Sequence, residues 1–200
     1  MQRLGLVVWT GDIQVTWDSM QHQPAYAAAW TLAGAPYVTC DIGGFNGPDD
    51  PPDLLVRWYQ SGVFLPIMRV HSTLNDKPHF PFLYGDYPAK CMQRALNLRY
   101  QLLPYIYSVA SRTYSAGEPL VSPLAYTFPD DASVYSITDQ WMFGPHIMAT
   151  PILTSSDSKT SDTSRRVYVP RGTWYQVRYG GNPFVGEHNN LLEGIWCVSS

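Results

Sequence analysis

Cysteine is scarce: Cys40, Cys91 and Cys197 are the only three in 200 residues. An odd number at wide spacing builds neither a disulfide framework nor a zinc site, so free and mostly buried thiols are expected. Charge is scarce as well. Charged residues make up 14% of the chain, the formal net charge is -3, and neither sign forms a long run. That excludes a phosphate-tracking basic face, and with it nucleic acid as the expected partner. No segment approaches the roughly 18 to 20 apolar residues that span a bilayer, so no membrane partner is expected. The first residues lack a basic region followed by a long apolar stretch, and no Asn-x-Ser/Thr sequon occurs anywhere; as written, the chain reads as cytoplasmic. Also missing are Gly-x-Ser-x-Gly, His-Glu-x-x-His, the phosphate-binding Gly-x-x-x-x-Gly-Lys and Cys-x-x-Cys. His22, His79, His146 and His188 are scattered without ligand spacing. They read as surface or loop residues, and neither a metal nor a cofactor is expected.

What the chain does have is 45% hydrophobic residues over a length that supports a sizeable core. Their arrangement repeats. "LGLVVWTGD" (4–12) is strand-like and ends in an acid, and Thr16 is a candidate N-cap for a helix that breaks at Pro24 and stops at Gly34. "YVTCDIGGF" (37–45) is a second strand ending in an acid and glycines, followed after "NGPDDPP" by a helix over "DLLVRWYQSG" with Pro52 in its first turn and Gly62 at its end. "VFLPIMRVHS" (63–72) is a third strand. A longer loop leads to "AKCMQRALNLRYQLLPYIYSVASRTYSAG", one long amphipathic helix kinked at Pro104. Its stripe of Met92, Leu96, Leu103, Ile106, Tyr107 and Val109 is expected to be core.

Asp12, Asp41 and His71 stand 29 and 30 residues apart, the length of one strand, one helix and their loops. Strands separated by helices pair in parallel and are covered on both faces, which accounts for their continuous apolar character. In a (β/α)8 barrel the C-terminal strand ends open onto one face where active sites are built. Beyond Gly117 the texture turns Pro-rich and irregular, and then to short strand-like runs in "DQWMFGPHIMATPIL" and "RRVYVPRGTWYQV". The expected organisation is therefore residues 1–124 as three β/α units of a partial barrel and 125–200 as the start of a β-sandwich-like domain, with 178–200 unassigned.

Taken singly, Asp12 and Asp41 read as turn or capping residues and His71 as a satisfied loop histidine. Their common register at successive strand ends, with Trp9 and Phe45 beside the acids, opens a second reading. Aromatic faces suit the apolar C–H patches of a pyranose, while its hydroxyls suit charged acceptors. On pattern alone, a carbohydrate site and a purely structural barrel fragment both stand.

The ordered blocks "WTGDIQVTWDSM", "GAPYVTCDIGGF", "MRVHS", "LRYQLLPYIYS" and "FPDD…DQWMFGP…ATPI" resemble the C-terminal part of the catalytic domain of glycoside hydrolase family 31, the α-glucosidases and α-xylosidases. The resemblance covers roughly residues 1 to 177 and implies strands six to eight of the barrel. It implies that Asp12 is the general acid/base, that Trp9, Asp41 and Phe45 lie at the sugar subsite, and that His71 meets sugar hydroxyls. Arg69 is expected to pair with a site carboxylate. The implied partner is an α-linked oligosaccharide or glycoside, cleaved with retention between two carboxyl groups about 5 to 5.5 Å apart. The family nucleophile sits in a Trp-x-Asp-Met-Asn block, and these 200 residues contain none. The expectation is a truncated chain whose Met1 is an internal methionine. It carries the acid/base half of a retaining glycosidase, with a noncatalytic sugar-binding remnant and a nonfunctional gene fragment as the alternatives.

Overall fold

The computed structural model describes residues 6–47, 51–74, 78–155 and 165–175, and the backbone of 164, 176–177, 191–193 and 196–199. Two short strands, β1 (Val8–Trp9) and β2 (Val38–Thr39), pair in parallel with Val8 opposite Val38 and Trp9 opposite Thr39. Between them runs α1 (Trp17–Leu32), so the first unit is a βαβ crossover. Thr16 caps α1 as expected, its hydroxyl accepting from the Ser19 amide at 3.1 Å. The expected break at Pro24 does not occur, and the helix runs through it. An internal proline costs a helix about 3 kcal/mol, but Met20, Gln23, Pro24, Ala27, Ala28 and Thr31 are all buried along this helix. Tertiary packing therefore holds together what propensity alone would divide. The chain turns after Ala33 through Gly34, at φ 90°.

After β2 comes α2 (Pro52–Gly62), whose Pro52 opens the first turn and whose Leu54, Leu55, Trp58 and Tyr59 are buried. The expected third strand is largely absent as a strand. Only Val70 forms a bridge, parallel to Ile42. Residues 63–65 instead form tight turns, with Phe64 donating to Ser61 and Leu65 to Gly62, and Pro66 has no amide to give a ladder. The direction of the segment is nevertheless as expected. The Ile67 amide donates to the Val38 carbonyl at 3.2 Å and the Ile42 amide to the Arg69 carbonyl at 3.0 Å, which sets 67–70 in parallel beside β2.

The long helix is in fact two, α3 (Asp86–Gln101) and α4 (Leu103–Ala116). The interruption falls at Leu102, two residues ahead of Pro104, because proline is accepted within the first turn of a new helix but not in the middle of an old one. Met92 and Val109 of the stripe are fully buried, and Leu96 and Ile106 pack against the core. Leu103 and Tyr107, expected inside, are 46% and 79% exposed; α4 instead turns Val109, Tyr105, Ile106 and Ala110 to the core.

Strands β3 (Val121–Pro123), β4 (Trp141–Phe143), β5 (Ile147–Ala149), β6 (Ser164–Arg166), β7 (Trp174–Val177), β8 (Leu191–Glu193) and β9 (Trp196–Ser199) follow, with a one-turn helix at Leu124–Thr127. They form an antiparallel sheet in the order β3-β4-β5-β9-β7 and a separate β6-β8 pair. Both β8 and β9 lie in the stretch that sequence reading left unassigned. The β/α units and the sheet share one apolar cluster. Trp141 Nε1 donates to the Phe64 carbonyl at 2.9 Å, the Phe64 and Phe143 rings meet edge to face at 5.7 Å, and Gln21 donates to the Leu153 carbonyl. Arg99 ties α3 to the 63–66 turn through the carbonyls of Val63, Leu65 and Pro66, each at 2.7 or 2.8 Å. Burial lowers its guanidinium to about 10, and those three carbonyls are what make so buried a cation tolerable.

Among the described residues no helix is long and apolar enough to cross a membrane, and no group of three His, Cys, Asp or Glu could hold a metal ion. Cys40 and Cys91 are free, the first buried and the second half-buried; the side chain of Cys197 and the whole of His188 lie outside the described residues. Burial pushes the Cys40 thiol up to about 12. Native chain is therefore expected to label with iodoacetamide at Cys91 while Cys40 stays unmodified, since the thiolate is the nucleophile. Because the folded chain holds the Cys40 proton more tightly than the unfolded chain, stability is retained below the ordinary thiol range and lost as pH rises towards 12. Cys40→Ala should flatten that alkaline loss in a series of denaturant melts, and an unchanged slope would show that the thiol plays no part.

Candidate active site at the strand ends

Past β1, β2 and the 67–70 segment the three loops are stitched together by backbone hydrogen bonds. The amides of Phe45 and Asn46 donate to the Ile13 carbonyl at 2.7 and 3.2 Å, and the Thr73 amide donates to the Phe45 carbonyl at 3.0 Å. Two glycines make this approach possible. Gly43 and Gly44 have φ of 100° and 89°, in the left-handed region that side chains disfavour. A Cβ on Gly44 would come within 2.7 Å of the Val15 Cα, and one on Gly43 within 2.3 Å of His79 Nδ1.

On this frame Asp41 is fully buried at the end of β2. Its Oδ1 accepts the Trp9 indole N–H at 2.8 Å and forms an ion pair with the Arg69 guanidinium. That guanidinium also lies over the Trp9 ring, 5.5 Å from its centroid, in cation–π geometry. Trp9 meets Phe45 edge to face at 6.5 Å, and Phe45 stacks on His71 at 5.3 Å with 29° between the planes. Trp9, Asp41, Phe45, Arg69 and His71 thus form one connected cluster drawn from three strand ends. Trp9 is 44% exposed, His71 is exposed and Phe45 is half-buried, so the aromatic row faces outward over the buried Asp41.

Asp41 holds its neighbours and presents no oxygen to solvent. Its Oδ2 and Arg69 Nε are buried and have no hydrogen-bond partner. Asp12 is placed differently. It is exposed in the loop after β1, beside the Ile13 whose carbonyl anchors Phe45, and its carboxylate takes no part in the hydrogen bonds of the cluster.

His79 was read from sequence as a surface or loop residue, but it is 3% exposed. Its Nδ1 lies 3.1 Å from the carbonyls of both Ile42 and His71, and its own carbonyl accepts the Tyr59 hydroxyl at 2.8 Å. Burial pushes that phenol up to about 12, so it remains a donor across the physiological range. A single histidine in a loop carries no sequence signal for such a position. The Gly43-Gly44 pair signals that something approaches the backbone closely there, though not what. An outward aromatic row, an imidazole and a neighbouring exposed carboxylate are the parts needed to seat a sugar ring and move a proton beside it.

Comparison with known proteins shows the family of the chain. The model for the glycosyl hydrolases family 31 TIM-barrel domain matches residues 1–109, and the model for the family's C-terminal domain matches residues 117–193. Mouse lysosomal alpha-glucosidase is 38% identical over 170 residues, covering 85% of this chain and 17% of that protein. An alpha-glucosidase of Saccharolobus solfataricus is 36% identical over 178 residues, covering 86% of this chain and 25% of that protein. Among solved structures, a GH31 alpha-xylosidase from a soil metagenome, complexed with xylose, superposes with a TM-score of 0.87 at 30% identity. That match covers 98% of this chain and 32% of the xylosidase. The chain thus spans a quarter or less of the two α-glucosidases and about a third of the xylosidase. Parallel β/α units followed by an antiparallel sheet, and both domain models matching in order, establish that this chain belongs to glycoside hydrolase family 31, carrying part of its TIM barrel and part of its C-terminal domain.

Proposed function

We propose that the chain is the acid/base side of a retaining α-glycoside hydrolase whose nucleophile and remaining barrel strands belong to a longer protein. Asp12 is the general acid/base, and the substrate is an α-linked oligosaccharide or glycoside. Trp9 and Phe45 offer ring faces and edges to the sugar, His71 binds its hydroxyls, and the Asp41–Arg69 pair holds Trp9 in place. The observation that carries this reading is the single cluster of aromatic, imidazole and ion-pair groups at three strand ends, tied by Ile13 to the loop bearing Asp12. The chemistry follows from exposure. The exposed Asp12 carboxylate is open to a substrate oxygen, whereas Asp41 is buried against Trp9 and Arg69.

A retaining mechanism needs a second carboxyl about 5 to 5.5 Å from the first to attack the anomeric carbon, and a barrel needs eight strands to close. The purified 200-residue chain is therefore expected to show no turnover of p-nitrophenyl α-glucoside or α-xyloside. A chimera in which this chain replaces the matching segment of the Saccharolobus solfataricus alpha-glucosidase should hydrolyse the glucoside and release the α-anomer first, as followed by NMR. Turnover by the isolated chain that vanishes in Asp12→Ala would overturn the division of the site. Initial release of the β-anomer by the chimera would overturn retention.

A further inference from the structure

We infer that His79 is a positioning residue for the sugar site, acting through a hydrogen bond shared between two strand-end loops. The inference rests on the sugar-site reading above. Both acceptors of Nδ1 are carbonyl oxygens, those of Ile42 and His71, each at 3.1 Å. Carbonyls cannot donate, so Nδ1 carries the proton and binds both at once. Ile42 follows Asp41, and His71 is the imidazole stacked on Phe45. One N–H therefore fixes the distance between the end of β2, where the ion pair is anchored, and the group that faces solvent.

The rest of the surroundings keep this ring where it is. The Tyr59 hydroxyl on α2 donates to the His79 carbonyl at 2.8 Å. Gly43 leaves open the space that the ring fills, since a Cβ there would lie 2.3 Å from Nδ1 and 2.5 Å from Cε1. Glycine at 43 and histidine at 79 are complementary: the first admits the ring and the second supplies the donor. Backbone hydrogen bonds flank His71, from Ile42 to the Arg69 carbonyl and from Thr73 to the Phe45 carbonyl, and the bridge between Ile42 and Val70 ends one residue before it. The His79 hydrogen bond adds a tie at the His71 carbonyl itself.

Two substitutions separate the donor from the volume. In His79→Asn the amide nitrogen stands close to the place of Nδ1, while His79→Phe keeps a ring and removes the donor. In the full chain with ¹⁵N- and ¹³C-labelled histidine, wild-type His79 is expected as the Nδ1–H tautomer. The His71 ring signals, assigned through His71→Gln, should show the upfield displacement that stacking on Phe45 causes. His79→Asn should retain that displacement and His79→Phe should lose it. Titration with methyl α-D-glucopyranoside should shift the His71 signals in wild type and His79→Asn, and bind roughly fivefold more weakly to His79→Phe, the effect of one neutral hydrogen bond. An Nε2–H tautomer in the wild-type chain would overturn the inference whether or not either variant folds. So would His71 signals that are the same in both variants, because a merely structural histidine would change only the melting temperature. If the tautomer and ring signals behave as expected while the glucoside shifts nothing, the positioning role stands and the sugar-site reading fails.

Discussion

Arg69→Met is expected to lower the unfolding free energy by about 1 to 3 kcal/mol, the cost of leaving a buried polar group without its partner; the pair is sealed on the Asp41 side only. Asp41 is wholly buried, and its Oδ1 has only the Trp9 indole N–H and the Arg69 guanidinium. Without the guanidinium a buried carboxylate keeps one neutral donor, and its second oxygen already has none. The reverse change, Asp41→Asn, leaves a cation whose side chain is 40% exposed and can reach water, so its effect should be smaller. The double variant Asp41→Asn with Arg69→Met should be more stable than Arg69→Met alone, because no unpaired charge remains. Guanidinium melts of all four chains give the coupling directly. The same series reports on Trp9, whose ring lies against the guanidinium and whose N–H is held by Asp41. Its fluorescence should move towards that of a solvated indole in Arg69→Met. Additive effects of the two single substitutions would mean that the pair does not act as a unit.

The β/α period was legible because it rests on features that do not depend on distant partners. The apolar runs at β1 and β2, a Thr16 cap, Pro52 in a first turn, and Gly34 and Gly117 at helix ends are local physics, and each stands where it was expected. The misreadings share a cause of the opposite kind. Pro24 reads as a break because a proline interrupts an isolated helix, yet the buried face of α1 carries the chain straight through. Residues 63–72 read as a strand from composition, but a strand is defined by the neighbours it pairs with. Among the described residues only Ile42 forms such a bridge with Val70. Strands β8 and β9 fall where the sequence has no period, and β9 is assigned by its antiparallel pairing with β5 and β7.

For the candidate site, register at successive strand ends brought Asp12, Asp41 and His71 to notice, and resemblance supplied the roles. Pattern reading could not rank them by exposure. Asp41 and Asp12 look alike in sequence, each an acid at the end of an apolar run, but one is sealed under Trp9 and Arg69 and the other is open to solvent. Arg69 was expected to pair with a carboxylate, and it does so with Asp41. The burial of His79 has no signal in the sequence, since it depends on the Ile42 carbonyl from another loop, the His71 carbonyl eight residues earlier and a glycine 36 residues earlier.

In the chimera with the Saccharolobus solfataricus alpha-glucosidase, Asp12→Ala is expected to reduce hydrolysis of maltose by about 10² to 10⁴-fold, the range for loss of a positioned acid/base. The loss should depend on the leaving group. A sugar alkoxide is a strong base and departs only as it is protonated, whereas a nitrophenolate needs almost no proton to leave. Removing the acid should therefore spare the first step on the nitrophenyl glucoside and leave the second step, attack of water on the glycosyl-enzyme, without its base. Azide needs no base to attack and should restore turnover on the nitrophenyl substrate, giving the α-glucosyl azide, while restoring nothing on maltose. The deciding measurement is the ratio of kcat/KM on p-nitrophenyl α-glucoside to that on maltose, in the chimera and in its Asp12→Ala variant. A ratio that rises by a hundredfold or more in the variant assigns the proton transfer to Asp12. An equal loss on both substrates, with no rescue by azide, would mean that Asp12 supports binding or structure and that the acid/base lies elsewhere.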